Sequence, residues 1–236
     1  MSSSIRSSYH HGTLRQALID ATESLLAERG LDGFSLREVA RRSGVSPAAP
    51  AHHFGDAQGL LTAVATLAFD GLTEALQAGN ARGGCDAVAR MREQGVGYVD
   101  FALRFPGRFR LMFGPCDQAD EGLARSAHAA FEVLENGVRG LFGVAPGEAL
   151  EPAQTSALLS IWSVVHGFAH LLIGGQLDQP AGGAAGRHAF AAAMVGPMLQ
   201  LQLDGLVHAV QAAAPPKRAA VQPAAPRARS PTKPRR

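Results

Sequence analysis

Trp162, His166 and His170 fall at positions i, i+4 and i+8, so a helix through them sets an indole and two imidazoles along one face. His166 and His170 have the spacing of a chelating pair, but no Glu or third His stands near them to complete a metal site. Their expected role is to place a few polar groups in the wall of an apolar pocket or core. Phe101, Phe105, Met112 and Phe113, with Tyr98 and Phe109, form a second cluster at helical spacing. Aromatics make up only 6% of the chain, so this concentration marks them as candidate ligand-binding residues. No Ser/His/Asp order, Gly-rich phosphate loop or paired-carboxylate motif stands out. The sequence therefore predicts no enzyme, no cofactor and no bound metal.

A different chemistry is written in residues 35–53, SLREVARRSGVSPAAPAHH. Ser35 is a candidate N-cap, and Glu38 three residues on suits a capping box. Leu36, Val39 and Ala40 then share one helical face. Gly44 supplies a turn that a residue without Cβ makes cheaply. Ser46 is expected to cap a second helix with Pro47 at its first position, and Phe54 to anchor its end. Two capped helices about a tight turn are the helix-turn-helix arrangement, whose second helix can enter a DNA major groove. Ser46, Pro47, Ala48, Ala49, His52 and His53 are its candidate DNA-contacting residues, with Ser35 and Arg37 on the first helix and Arg6 on a leading arm. Small residues let backbone approach the groove, and the histidines can donate to bases or phosphates.

The elements that must position these groups read as helices throughout. Leu14, Ala17, Leu18, Ala21, Leu25 and Leu26 give an apolar stripe on a first helix from about Thr13 to Arg29, closed by Gly30. Asp56 is the expected cap of a linking helix over 56–78. Further helices are predicted over 86–105, 108–113, 120–142, 154–174 and 186–211, separated by Gly- and Pro-containing breaks. The fold class is all-α with about nine helices: an N-terminal three-helix helix-turn-helix domain and a C-terminal helical ligand-binding and dimerisation domain. The expected divisions are a flexible arm at 1–8, the DNA-binding domain at 9–55, a linking helix at 56–80, the ligand-binding and dimerisation domain at 81–212 and a disordered basic tail at 213–236. Ala191, Val195, Met198, Leu199, Leu201, Leu206 and Val210 exceed what one interior face needs. Packing 154–174 and 186–211 against the same pair of a second chain would form an intermolecular four-helix bundle and a homodimer.

The runs YHHGTLRQAL at 9–18, SLREVARRSGVS at 35–46 and HHFGDAQGLL at 52–61 resemble the DNA-binding domain of TetR/AcrR-type transcriptional regulators. WSVVHGFAH at 162–170 resembles the C-terminal domain of the branch with a Trp-x-x-x-His-Gly run. The resemblance implies a homodimeric repressor that leaves a palindromic double-stranded DNA operator when a small, largely apolar effector binds. Relatives commonly carry Tyr where Ala51 stands and Lys where Ala57 stands, both phosphate-contacting types. The alternative is therefore a ligand-binding helical protein with degenerate DNA recognition; a metal-dependent enzyme using His166 and His170 stands third.

Charge is uneven along the 236 residues. Seven basic residues and no acid lie from 213 onward, so a net charge of +2 for the chain leaves 1–212 at −5. The tail, with Ser230-Pro231-Thr232-Lys233, suits non-specific phosphate contact or solubilisation. Cys85 and Cys116 form no CxxC motif, and a reducing compartment is expected. No uninterrupted apolar run reaches the ~18 residues of a membrane span. A cytoplasmic location follows as the expectation, with no membrane partner.

Overall fold

The computed structural model describes residues 3–114 and 119–213, with side chains from 13 to 114 and from 119 to 210. Arg6, the start of the 9–18 run, Cys116 and the basic tail from 214 onward lie outside those side chains. The described residues hold ten α-helices and no strand. They are α1 (Ser3–Arg29), α2 (Leu36–Arg42), α3 (Ala49–Phe54), α4 (Ala57–Arg82), α5 (Ala87–Arg104), α6 (Pro106–Met112), α7 (Glu121–Phe142), α8 (Pro152–Ile173), α9 (Asp178–Ala181) and α10 (Arg187–Ala213). The first helix begins at Ser3 rather than Thr13, taking in most of the stretch expected as an arm. The four-residue α9 falls in the break expected between the last two long helices and adds the tenth helix.

Local chemistry sets the starts. Asp56, Asp86 and Asp120 accept the backbone N–H of Gly59 at 2.8 Å, Val88 at 3.0 Å and Leu123 at 2.7 Å, capping α4, α5 and α7. At α8 the Gln154 side chain reaches back to the Glu151 N–H at 2.9 Å, with Pro152 in the first turn.

One hydrophobic cluster runs from Leu18 of α1 through α4 and α5 to Leu203 of α10. The crossing of α4 and α5 is close, and glycine makes it possible. A Cβ at Gly79 would collide with the Glu93 carbonyl, one at Gly83 with the Arg90 backbone, and one at Gly97 would sit 2.6 Å from the Ala75 carbonyl oxygen.

Three stretches, Ala57–Arg82, Pro152–Ile173 and Ala184–Val210, are long and apolar enough to cross a membrane by length and mean hydropathy. Scattered polar residues break each stretch, so none of them is an uninterrupted apolar run. In α4 and α8 nearly half of the apolar window is buried in the helical core, whereas in α10 only 22% is. Of the residues expected to be surplus on α10, Ala191, Val195 and Leu199 are buried within the protomer, while Leu201 stands 78% exposed.

Gly97→Ala places its methyl against backbone that cannot yield, and the expected loss is about 1–3 kcal/mol in urea unfolding. Gly140→Ala on α7 is the control, since its nearest neighbour is the end of the Arg90 side chain at 3.4 Å. There the helix gains roughly 0.5–1 kcal/mol from the lost glycine freedom.

Candidate functional site

Ser35 is extended at φ −152° and its hydroxyl accepts the Glu38 N–H at 3.2 Å, so the expected cap of α2 is formed. The reciprocal half of the capping box is not. Glu38 turns forward and accepts from Arg41 Nε at 2.8 Å, Arg41 Nη2 at 2.7 Å and Arg42 Nε at 3.1 Å. The far end of the Arg42 guanidinium reaches Glu28 of α1 at 2.8 and 2.6 Å. One arginine thus ties α1 to α2 through two carboxylates. Hydrogen bonds from Arg41 and then Arg42 hold the Glu38 carboxyl down at about 2, and Arg42 lowers Glu28 as well.

Gly44, at φ +67°, makes the turn, and Val45 N–H closes it on the Ala40 carbonyl at 3.1 Å. Ser46 does not cap α3. Its carbonyl accepts the Ala49 N–H at 3.0 Å in a further turn, and the helix begins at Ala49 after Ala48, which offers no side-chain cap. Pro50, buried, takes the place in the first helical turn expected of Pro47. Ser35, Arg37, Ser46, Pro47, Ala48, Ala51 and His52 are exposed; Ala49 and His53 are half-buried. Arg15 of α1, not foreseen as a site residue, lays its guanidinium 5.1 Å from the centre of the Phe54 ring at the end of α3.

A cavity of about 200 Å³ opens among α4, α5, α7 and α8. Of the residues expected to bind ligand, Phe113 and Trp162 line it. Phe101, Phe105, Met112, His166 and His170 do not. Phe101 is buried against α4, where Gly71 makes room for its ring, and Met112 is buried in the core. Phe105 is exposed at the α5–α6 corner under the Arg108 guanidinium. His166 stands behind the cavity with Nδ1 2.8 Å from the Tyr98 hydroxyl. His170 turns to a surface groove beside Arg110 and Leu171. The periodic pattern missed the walls given by Phe69 and Leu72 of α4, Gln94 of α5 and Phe131 of α7. A 3.6-residue repeat marks a buried face but does not separate core from cavity wall.

Burial pushes the Tyr98 phenol well above its ordinary range, outweighing a hydrogen bond from Trp162 that lowers it. Burial, and then the neighbouring His170, push His166 below its ordinary value. At neutral pH the phenol therefore keeps its proton and shares its hydrogen bond with a neutral imidazole. Among the described residues no group of three or more His, Cys, Asp or Glu could hold a metal.

The two regions are joined by more than the linking helix. On α6, the Phe109 ring packs on Tyr98 at 5.5 Å, His166 at 5.6 Å and Phe113 at 5.4 Å between ring centres. The other side of α6 meets α1. Arg108 donates to Glu23 at 2.6 Å, and Gly107 lies so close that a Cβ there would be 2.9 Å from the Ala27 nitrogen. Arg108, Glu23 and Gly107 carried no sequence signal, because a cross-domain ion pair has no periodicity.

A short-helix hairpin sits on a helical body with its own cavity, and comparison places that architecture. Residues 18–64 match the model of bacterial regulatory proteins of the tetR family, and residues 91–198 match the tetracyclin repressor-like C-terminal domain. The chain belongs to the tetR family of bacterial regulatory proteins. The HTH-type transcriptional regulator BetI of Burkholderia thailandensis is 47% identical over 49 residues, which are 21% of this chain and 25% of that protein. The chain thus spans about a quarter of the length of the curated relatives it matches. A Rhodococcus sp. RHA1 protein of unknown function is 33% identical over 85% of this chain and 97% of its own, with a TM-score of 0.65. The TetR family transcriptional regulator PfmR from Thermus thermophilus shares the fold at 19% identity and a TM-score of 0.57, over 79% of this chain and 93% of its own.

The Glu38 carboxylate generates a pH dependence. Its folded value lies below the ordinary 4.5, so its contribution is complete above that value and is lost as pH falls toward about 2. Urea unfolding of the wild type should weaken across that window more steeply than that of Glu38→Gln. Parallel slopes would remove Glu38 from the acid response.

Proposed function

We propose that this chain is a cytoplasmic, homodimeric, DNA-binding transcriptional regulator, a repressor released from a palindromic operator by a small apolar effector. The observation that carries the reading is the exposed edge of the hairpin. Ser46, Pro47 and Ala48 in the turn and Ala51 and His52 on the short helix α3, anchored by the buried Pro50, form this edge, and Arg37 flanks them. Such an edge admits close approach of backbone to base edges, with Ala methyls suited to thymine methyls. Membership of a family of regulatory proteins, and curated relatives described as HTH-type transcriptional regulators, support it. Without a Tyr at 51 or a Lys at 57, the interface has fewer phosphate contacts, and a missing lysine flattens the salt slope by about one unit.

Dimerisation is assigned to 154–174 and 186–211, where Leu159, Leu171, Met194 and Leu201 are exposed. Apolar side chains of that number on two adjacent helices suit a four-helix interface. Two hairpins related by a two-fold axis read a palindrome. The effector occupies the cavity behind Phe113 and Trp162. It releases DNA only if it binds the DNA-incompetent arrangement more tightly. Two paths carry that difference: α4 directly, and α6 through the Arg108–Glu23 pair.

Recovery of genomic fragments by the purified protein, followed by salt titration of the best fragment, tests the reading. A palindrome bound at physiological salt, with affinity falling at least about tenfold on changing His52 and His53 to Ala, is the expected result. Sequence-blind binding lost with residues 213–236 would instead make the chain a ligand-binding protein with degenerate DNA recognition. Arg108→Gln should leave operator affinity within about threefold while reducing effector-driven release about fivefold or more. Undiminished release in that variant would assign the coupling to α4 alone.

A further inference from the structure

Resting on the effector reading above, we infer that the ligand of the cavity is a neutral alcohol or phenol of about one ring with a short substituent, held by its hydroxyl at Gln94. Three features of the cavity carry this.

The first is charge. Among the described residues, no Asp, Glu, Lys, Arg or His lines the cavity. A carboxylate, phosphate or ammonium entering it would exchange water for apolar walls with no counter-charge, a transfer that strongly opposes binding.

The second is Gln94. It is only 3% exposed, and its Nε2 donates to Asn80 Oδ1 at 3.2 Å. Its Oε1 is buried with no hydrogen-bond partner among the described residues. The residue stands in the wall between the cavity and a polar groove over Asn80 and Asn136. Gly137 of α7 keeps the space for this amide, since a Cβ there would lie 3.1 Å from both amide atoms. The other polar group of note in the wall, the Tyr98 hydroxyl, already bonds His166. Among the described wall residues, Gln94 therefore has hydrogen-bonding capacity left over. With a turn of the amide toward the cavity, a ligand hydroxyl donates to Oε1 in one orientation and accepts from Nε2 in the other. An alcohol or phenol meets either orientation, which a ketone or ether does not.

The third is size. A cavity of about 200 Å³ is somewhat larger than the ~150 Å³ apolar cavity that takes benzene, which leaves room for one ring and a short chain.

Isothermal titration of the full-length protein with four matched probes tests the inference: para-propylphenol, propylbenzene, para-propylbenzoate and phenyltrimethylammonium. The phenol should bind about five- to tenfold more tightly than propylbenzene, the size of one neutral hydrogen bond. The two charged probes should show no binding over the same range. In Gln94→Met the phenol preference should fall to about unity, with propylbenzene binding retained. Equal binding of phenol and hydrocarbon, tighter binding of either charged probe, a preference that survives Gln94→Met, or no binding of any probe would each overturn the inference. Should Gln94→Met fail to fold by circular dichroism, the phenol-to-hydrocarbon ratio of the wild type decides. Operator binding measured on the same samples separates the two levels. Phenol binding with the stated preference but no loss of operator affinity keeps the ligand class and sinks the release mechanism. A protein that holds its operator yet takes no probe sinks the ligand class and keeps the DNA-binding function.

Discussion

The crossing of α4 over α5 is the constraint on which the rest of the molecule depends. At Gly79, Gly83 and Gly97 the two helices approach so closely that a single methyl would meet backbone. That contact fixes the C-terminal end of α4, while its N-terminal end, from Asp56, packs among the helices of the hairpin domain. Between the two ends, Phe69, Leu72 and Leu76 form one wall of the cavity. A rod held at one end and pressed at its middle moves most at the other end. Interiors packed this tightly pass on strain rather than absorb it, so the glycines give the proposed mechanism its fulcrum.

Electrostatics in the hairpin domain serve its own shape first. Arg42 is occupied by Glu28 and Glu38, and Arg41 by Glu38. These pairs are at the surface and individually weak, but as a network they join α1 to α2 at a fixed angle. The consequence is that two of the cations nearest the turn are engaged within the protein. The exposed edge is made of small neutral residues and His52, with Arg37 beside it. Recognition by such an edge depends on fit to the groove more than on phosphate attraction.

The legibility of this fold in its sequence followed the range of the interactions. The caps at Ser35 and Asp56 and the turn at Gly44 are local and readable residue by residue, whereas Asp86 and Asp120 showed only as approximate helix starts. Ser46 misled because two prolines follow it, and the backbone chose the later one to begin the helix. The capping box at Ser35 was half right because Glu38 had better partners in two arginines than in a backbone N–H. Cavity walls were the hardest part. Phe101 and Phe113 have the same spacing signal, yet one fills the core and the other faces open space. Only packing between helices distant in sequence distinguishes them. For the same reason Gln94, polar and unremarkable in the chain, gave no hint of being buried.

Trp162 has a consequence of an optical kind. It is the only tryptophan among the 236 residues, and it stands in the cavity wall between the rings of Phe113 and Phe131. Indole emission shifts with the polarity around the ring, so the intrinsic fluorescence of the whole protein is in effect a spectrum of this one cavity. The molecule carries its own reporter of occupancy, free of background from any second indole.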